Sequence, residues 1–155
     1  MDGTQNFHIL ILNEEERRAY AQQLSVLVPG MPQASIDRIV DLPRSNFCAV
    51  SAFVGSRKDA AISAAVAIIR AELPDQLRAS CIHEELAQGM GLANDSPSVS
   101  PSIFNDNEEF GLMTRHDELL LQMLYDPRLE IGMDEEQATP IVRRISQELL
   151  PSGET

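Results

Sequence analysis

The chain has 155 residues, of which 43% are hydrophobic and 23% charged, a composition that predicts one folded domain over residues 1–155 and excludes general disorder. Its 24 acidic and 12 basic residues give a net charge of −12, which argues against nucleic acid and anionic membrane surfaces as partners, because both attract clustered Lys and Arg. No apolar run reaches the roughly 18 residues of a membrane-spanning helix, and the first residues lack a basic n-region, so we expect neither a span nor a secretory signal in the sequence as it stands.

The first half of the chain predicts two strands and two helices. NFHILIL (residues 6–12) alternates in part, is rich in strand-forming residues and predicts a strand. NEEERRAYAQQLSVLV after it predicts one helix with Asn13 as N-cap. FCAVSAFV (residues 47–54) is mostly apolar and predicts a central strand covered on both faces. After Gly55, the Ala-rich stretch SRKDAAISAAVAIIRAEL predicts a buried helix that ends near Pro74.

The second half predicts three helices and a long loop, so that the fold class is α+β, helix-rich with a small sheet. A helix begins at PDQL and runs to Met90, and Gly91 is the residue that closes it. Residues 93–109 are rich in Asn, Asp, Ser and Pro and predict a loop. TRHDELLLQMLYDP predicts a helix with Thr114 as N-cap and a leucine-rich core face. The last helix lies within DEEQATPIVRRISQELL, and a polar tail begins at about residue 151.

The helix before Gly91 carries three polar residues near its end, Glu84, Glu85 and Gln88. Positions i, i+3 and i+4 share a face of a helix, so the side chains of Glu84 and Gln88 project together and Glu85 lies beside Gln88. A chain reversal at Gly91, which glycine permits, would return the following residues toward these side chains. The sequence therefore predicts a cleft between this helix and residues 96–109.

The spacing around Gly91 matches the extended motif of zinc peptidases, but the metal-binding residues are replaced. That motif places two His at i and i+4, a general-base Glu at i+1, a Gly seven places after the first His and a third ligand three places later. Aligned on Gly91, the three ligand positions and the residue after the last of them hold no histidine: Glu84, Gln88, Asn94 and Asp95. Glu85 occupies the position of the general base.

Three stretches of the chain, CIHEELAQGMGLANDS, SIFND and LMTRHDELLLQMLYDPRLEIGM, resemble the uncharacterised bacterial family catalogued as domain of unknown function 2927. That family is distantly similar to metzincins, in which a helix ending in Gly and a ligand-bearing loop precede a Met-containing turn. Here Phe104 stands at the position of that Met, and Leu124 and Tyr125 end the later helix as a Leu-Tyr pair does in metzincins. The resemblance implies a zincin-like fold without the standard His ligands.

The resemblance also implies a compartment. Such proteins often carry export signals, so a periplasmic or cell-envelope location is expected, with a trimmed signal, and the cytoplasm is the alternative. Composition alone leaves Cys48 and Cys81 as two buried thiols or as one disulfide. The envelope setting that the resemblance implies favours the disulfide.

The residues at the ligand positions determine which metals are expected. Glu, Gln, Asn and Asp supply oxygen ligands, which suit calcium or magnesium, whereas zinc peptidases use imidazole. One helix and one loop provide few such ligands, so we expect no cofactor, with a hard divalent cation (Ca or Mg) as the alternative and zinc disfavoured. The acidic patch NDNEE (residues 105–109) lacks the spacing of a calcium-binding EF-hand and predicts a solvated loop.

Glu85 has two interpretations. As a catalytic residue it would be a buried acid or base with a raised pKa, and His116 could complete a dyad, with Asp117 beside it. As a structural residue, Glu85 would hold loop backbone together with Gln88, while Asp117 caps a helix and His116 lies on the surface. The second interpretation favours a pseudoenzyme, a non-catalytic binding or scaffold module of the envelope with an unknown protein or peptide partner. The alternative is a Glu-dependent or atypical metallo-hydrolase acting on peptide or cell-wall substrates.

Overall fold

The computed structural model describes residues 6–54, 61–105 and 109–150. Within these ranges the chain forms three strands: β1 (Phe7–Leu12), β2 (Cys48–Val54) and β3 (Ile62–Arg70). It also forms six helices: α1 (Glu14–Ala19), α2 (Ala21–Leu27), α3 (Gln33–Val40), α4 (Asp75–Gly89), α5 (Arg115–Leu124) and α6 (Glu135–Leu149). The predicted α+β class is confirmed. No helix in the described ranges is both long enough and apolar enough to cross a bilayer.

The sheet is mixed and has the order β1-β3-β2, with β3 parallel to β1 and antiparallel to β2. The predicted Ala-rich helix is therefore wrong, because its second half is the central strand; residues 55–60 lie outside the described residues. A continuous apolar run fits either a buried helix or a strand covered on both faces. Here the β-branched residues and a neighbouring strand on each side favour the strand, in which Val66 and Ile69 have no exposed surface.

The second strand was predicted at the right residues, but its predicted position in the sheet is wrong. β2 pairs only with β3 in the described residues, so it is an edge strand rather than the predicted central one. Its residues are half-buried or exposed, and Val54 at its end is 56% exposed. The apolar composition of β2 reflects contacts with helices on its two faces, not a second neighbouring strand.

One face of the sheet is covered by the three short helices that follow β1. The single helix predicted here is two helices, since Tyr20 ends α1 and begins α2, while the predicted cap of Asn13 is confirmed by its hydrogen bond from the Glu16 amide at 2.9 Å. Helix α3 was not predicted, although Ile36 and Ile39 repeat at helical spacing after a proline. These helices and the sheet enclose the larger core cluster: Leu24, Val28, Met31, Ile36, Ile39, Leu42, Val66 and Ile68.

Two buried arginines fix the connection between α3 and β2. The Arg17 guanidinium donates to the carbonyl oxygen of residue 39 at 2.8 Å and also to that of residue 40. Arg70 donates to the carbonyl oxygens of residues 42, 43 and 46, each at 2.8 Å. Backbone carbonyls thus bind both buried guanidinium groups, although Arg17 Nε has no hydrogen-bond partner among the described residues. This connection leads directly into Phe47 and Cys48, which form one wall of the cleft described below.

Helix α4 packs on the opposite face, where it contacts β2 and β3. A disulfide joins Cys48 of β2 to Cys81 of α4, with their Cα atoms 5.9 Å apart. At the C-terminal end of α4, a Cβ atom on Gly89 would overlap the ring of Phe7, so any larger residue there would force that ring of β1 to move. The disulfide and the contact between Gly89 and Phe7 thereby fix the distance of α4 from the sheet.

Replacing both cysteines with serine should lower the free energy of unfolding by about 3 kcal/mol, because the unfolded chain regains the freedom that the cross-link removes. Urea denaturation of both proteins measures the change. Reductant should destabilise the wild type by a similar amount and leave the double variant unaffected. Equal midpoints for all four conditions would show that the cross-link contributes nothing to stability.

Candidate functional site

The predicted end of α4 is confirmed, and it reverses the chain. Met90 caps the helix and Gly91 follows with a φ of 121°, in the region that favours glycine. The Gly91 amide donates to the carbonyl of Gln88 at 3.0 Å, and the Leu92 amide donates to that of Ala87 at 3.1 Å. This is the Schellman pattern of hydrogen bonds, and it directs the following loop back along α4.

The end of α5 packs on this reversal. The Tyr125 hydroxyl donates to the carbonyl of Met90 at 2.8 Å, and Leu124 Cδ2 lies 3.0 Å from where a Cβ of Gly91 would stand. Leu124 was predicted to be a core residue but is 41% exposed, because it covers a turn at the surface and not the interior. The leucine–tyrosine pair therefore fixes the direction in which the chain leaves α4.

Gly91→Ala should lower the free energy of unfolding by about 2 kcal/mol, since a Cβ at this positive φ is strained and also meets Leu124. Gly111→Ala is the matched control, because a Cβ there would meet only Ser80 Oγ at an ordinary 3.9 Å. Thermal denaturation of both variants measures the difference. If the two substitutions have the same effect, the backbone at Gly91 is not constrained as described.

Asp117 holds the loop that faces α4. Its carboxylate accepts hydrogen bonds from the Ile103 amide at 3.0 Å, from the Thr114 amide at 2.8 Å and from the Ser102 hydroxyl. The predicted cap by Thr114 is confirmed, but Asp117 does more than complete it, because it also binds the turn fourteen residues earlier. Burial alone would raise the pKa of Asp117, and these hydrogen bonds together lower it.

The turn bound by Asp117 closes the loop against itself. Phe104 is 5% exposed, and its carbonyl accepts a hydrogen bond from the Ser96 amide at 2.9 Å. No helix or strand is present in residues 93–105, in agreement with the predicted loop. Of the predicted acidic patch at residues 105–109, residues 106–108 lie outside the described part of the chain.

A cleft of about 610 Å³ lies between α4, this loop and the start of β2. Two carboxylates line it, those of Glu84 and Asp95, together with the aromatic rings of Phe47, Phe104 and Phe110. The loop side of the cleft was predicted from the reversal at Gly91. The rings of Phe47 and Phe110 were not, because they are far apart in the chain and neither carries a local sequence signal.

Glu85 lies beneath the wall of the cleft. It is 4% exposed, and its Oε2 accepts no hydrogen bond from the part of the chain that the structure describes. Burial, then the negative charges of Glu84 and Asp95, raise the pKa of Glu85 to about 8. The carboxyl is therefore mostly protonated at neutral pH. Asp117 holds loop backbone in the described residues, and the structural role predicted for Glu85 together with Gln88 stays a prediction.

Of the four residues predicted at or next to the ligand positions, Glu84 and Asp95 line the cleft and Gln88 contacts Asp95. Gln88 Nε2 donates to Asp95 Oδ1 at 3.4 Å, and single oxygens of Glu84 and Glu85 lie with Cys48 Sγ within 4.8 Å of one another. That sulfur belongs to the disulfide and is not a thiolate. Asn94, predicted at the third ligand position, is exposed on the loop. The arrangement thus presents carboxyl and amide groups but no imidazole.

The histidines lie elsewhere. His116 is half-buried, and its Nδ1 has no hydrogen-bond partner among the described residues, so no hydrogen bond there joins it to Glu85 or Asp117. His83 has a role that the sequence did not indicate, because its Nδ1 accepts a hydrogen bond from the Met113 amide at 3.3 Å. His83 thereby connects α4 to the segment that leads into α5.

A family model described as a protein of unknown function, DUF2927, matches residues 1–144. No curated protein and no solved structure matches. The family predicted from the sequence is therefore confirmed, and any function must be argued from the cleft.

Proposed function

We propose that this chain, which belongs to the DUF2927 family, is a zincin-like binding module of the bacterial envelope that holds a peptide segment in its cleft without hydrolysing it. Three features support the zincin-like fold, in the order that metzincins have them. Helix α4 ends at a glycine reversal, the returning loop reaches a tight turn at Phe104, and Leu124 with Tyr125 packs back on the reversal. The disulfide supports an oxidising compartment, since such bonds persist there.

The residues at the ligand positions do not fit a catalytic zinc ion. Zinc peptidases hold the metal with imidazole nitrogens and leave one position open for water. Here Glu84 and Asp95 offer carboxylates, and the amide nitrogen of Gln88 is directed at Asp95. A donor set of this kind suits a hard cation or no metal at all.

The observation that carries the binding function is the state of Glu85. A general base must be ionised and within hydrogen-bond reach of the water that it activates. Glu85 stands at the base position, but it is 4% exposed and its pKa is raised to about 8, so it is mainly neutral at pH 7. A neutral, buried carboxyl cannot take a proton from water, whereas the open cleft beside it can still hold a ligand.

The test combines metal analysis with a turnover assay. Protein purified without chelator should contain no stoichiometric zinc, and it should release no more product from a mixed peptide library or from cell-wall fragments than the Glu85→Gln variant does. Stoichiometric zinc together with turnover that disappears in Glu85→Gln would contradict the proposal.

A second function is favoured by the same raised pKa. A carboxyl with a pKa of about 8 is protonated at neutral pH and could donate a proton to a leaving group, as the general acid of a hydrolase. In that case turnover of peptide or cell-wall substrates should fall as the pH rises through 8, and Glu85→Gln should abolish it without loss of folded protein. Activity that is unchanged in Glu85→Gln would remove this alternative.

A further inference from the structure

We infer that two copies of this chain pair through the free edge of β1, as antiparallel strands related by a two-fold axis at Ile9. The two sheets then become one continuous sheet. The pairing does not depend on the cleft or on its ligand. Three features of β1 support it: the backbone groups that its edge exposes, the apolar side chains beside them and the lack of charge on the strand.

The backbone of β1 presents a row of unpaired hydrogen-bonding groups. β1 pairs with β3 alone among the described strands, and the carbonyls of Asn6 and Leu12 face that side, because they accept from amides of β3 and of the residue after it. Successive residues alternate in this direction, so the amides and carbonyls of Phe7, Ile9 and Ile11 face the other way. None of these groups has a hydrogen-bond partner in the described residues. Such a row is a template for another strand.

The strand also lacks the features that protect exposed sheet edges. Proteins blunt such edges with Pro, with charged side chains or with bulges. Residues 7–12 contain no Pro and no Lys, Arg, Asp or Glu, and their register with β3 is unbroken. The other edge strand, β2, has an irregular register between Phe53 and Val54. β1 is therefore the edge that is more open to pairing.

Apolar side chains flank the unpaired row on one face of the sheet. Ile9 and Ile11 are each 43% exposed, and they share the face of α4 with Phe7, because alternate residues of a strand point to the same side. Helix α4 packs mainly on β2 and β3, so it leaves these two isoleucines partly uncovered. A second strand at this edge brings its own side chains against them.

A second copy of β1 fits this edge. With Ile9 on the axis, Ile9 faces Ile9 of the other copy and Phe7 faces its Ile11, so every outward amide meets an outward carbonyl. A register shifted by two residues in either direction leaves one end of the row unpaired. The charge also permits the contact, because each copy carries −12 but the paired residues include no carboxylate. No acid therefore faces an acid across the axis.

The size of the contact indicates a reversible dimer. Stable interfaces bury about 1,200–2,000 Å², and one pair of strands about 20 Å long is at or below the low end of that range. In this register Ile11 of the other copy lies beside Phe7, where a groove of about 540 Å³ continues the apolar surface. The exposed side chains of that groove are Ile62, Met90, Leu124, Tyr125 and Ile131. The population of the dimer should therefore depend on concentration.

Sedimentation velocity measures the pairing directly. From about 1 μM to about 1 mM protein, the wild type should change from one copy to two and no further. Ile9→Lys sets two like charges opposite each other at the axis and should raise the dissociation constant about tenfold or more. Val26→Lys is the matched control, because it makes the same change of charge at a 77% exposed residue of α2, and it should dimerise like the wild type.

Cysteine cross-linking tests the register. Both native cysteines lie in the disulfide, so an added cysteine is the one free thiol of the chain. Strands paired at Ile9 bring the two Cα atoms of this residue about 5.5 Å apart, within the range of a disulfide. Ile9→Cys should therefore form a covalent dimer under mild oxidation. Ile11→Cys should not, because it faces Phe7 of the other copy.

Three results would overturn the pairing. Wild-type protein that stays monomeric at the highest concentration is the first; if that monomer binds a synthetic peptide with the sequence of β1, the edge accepts a strand of another protein instead. The second is a dimer that Ile9→Lys leaves unchanged although circular dichroism shows the variant to be folded. The third is equal cross-linking of Ile9→Cys and Ile11→Cys, which decides the matter if Ile9→Lys does not fold. None of these results bears on the cleft.

Discussion

Glu85→Gln should make the protein more stable than the wild type above neutral pH. The pKa of Glu85 rises from 4.5 to about 8 on folding, so the folded state binds more protons than the unfolded state between these values. The contribution of Glu85 to stability is therefore fully present below pH 4.5 and lost as the pH rises through 8. Gln stays neutral throughout. The difference should reach on the order of 5 kcal/mol above pH 8, from the rise of the pKa from 4.5 to about 8 at about 1.4 kcal/mol per unit of pKa.

Urea denaturation of the two proteins at intervals from pH 4 to pH 9 measures this difference. Glu15→Gln serves as the control, because it makes the same substitution at an exposed position of α1. Its stability should follow that of the wild type across the range. Parallel curves for Glu85→Gln and the wild type would mean that the carboxyl of Glu85 is ionised in the folded protein, which contradicts its assignment as neutral.

Asp117→Ala should be the most destabilising single substitution in the loop region, lowering the free energy of unfolding by about 4 kcal/mol. It removes a fully buried carboxylate and leaves the donors of Ser102, Ile103 and Thr114 without a partner. Asp134→Ala is the matched control. Asp134 also caps a helix, α6, but it binds only the amide of Gln137 at 2.9 Å and is exposed, so its loss should cost about 1 kcal/mol.

Hydrogen exchange shows whether Asp117 holds the loop as well as capping α5. In Asp117→Ala the amides of Ser96 and Ile103 should lose protection, because the turn that they close is released, whereas β3 should lose protection only through global unfolding. Lowering the pH should reproduce the effect in the wild type, but only below the usual 3.8, since the pKa of Asp117 is lowered. If Asp117→Ala and Asp134→Ala lose equal stability, Asp117 is a helix cap and nothing more.

The elements that the sequence predicted correctly are those fixed by local chemistry. Asn13 and Thr114 cap their helices through hydrogen bonds to residues three places away, and Gly91 ends α4 through bonds within one turn. The central strand β3 was predicted as a helix because its identity depends on the strands beside it. An alanine-rich apolar run carries no local signal that distinguishes the two.

In the candidate site, too, local features were predicted correctly and features that depend on distant parts of the chain were not. Spacing from Gly91 brought Gln88 and Asp95 together, as the structure does at 3.4 Å. The spacing of residues along the chain could not show that Glu85 is buried, or that its Oε2 has no hydrogen-bond partner among the described residues, because burial depends on contacts with other parts of the chain. It also could not show that Asp117 holds the turn at Ile103, since that bond joins segments fourteen residues apart.

The protonation state of Glu85 is the premise of both the proposed binding function and the predicted pH dependence of stability. Carbon-13 NMR of the glutamate side-chain carboxyls, with the Glu85 signal assigned by its absence in Glu85→Gln, measures its pKa directly. A midpoint near 8 is expected. A midpoint near 4.5 would contradict it: Glu85 would then be an ionised carboxylate at the base position, and hydrolysis would become the better explanation of the cleft.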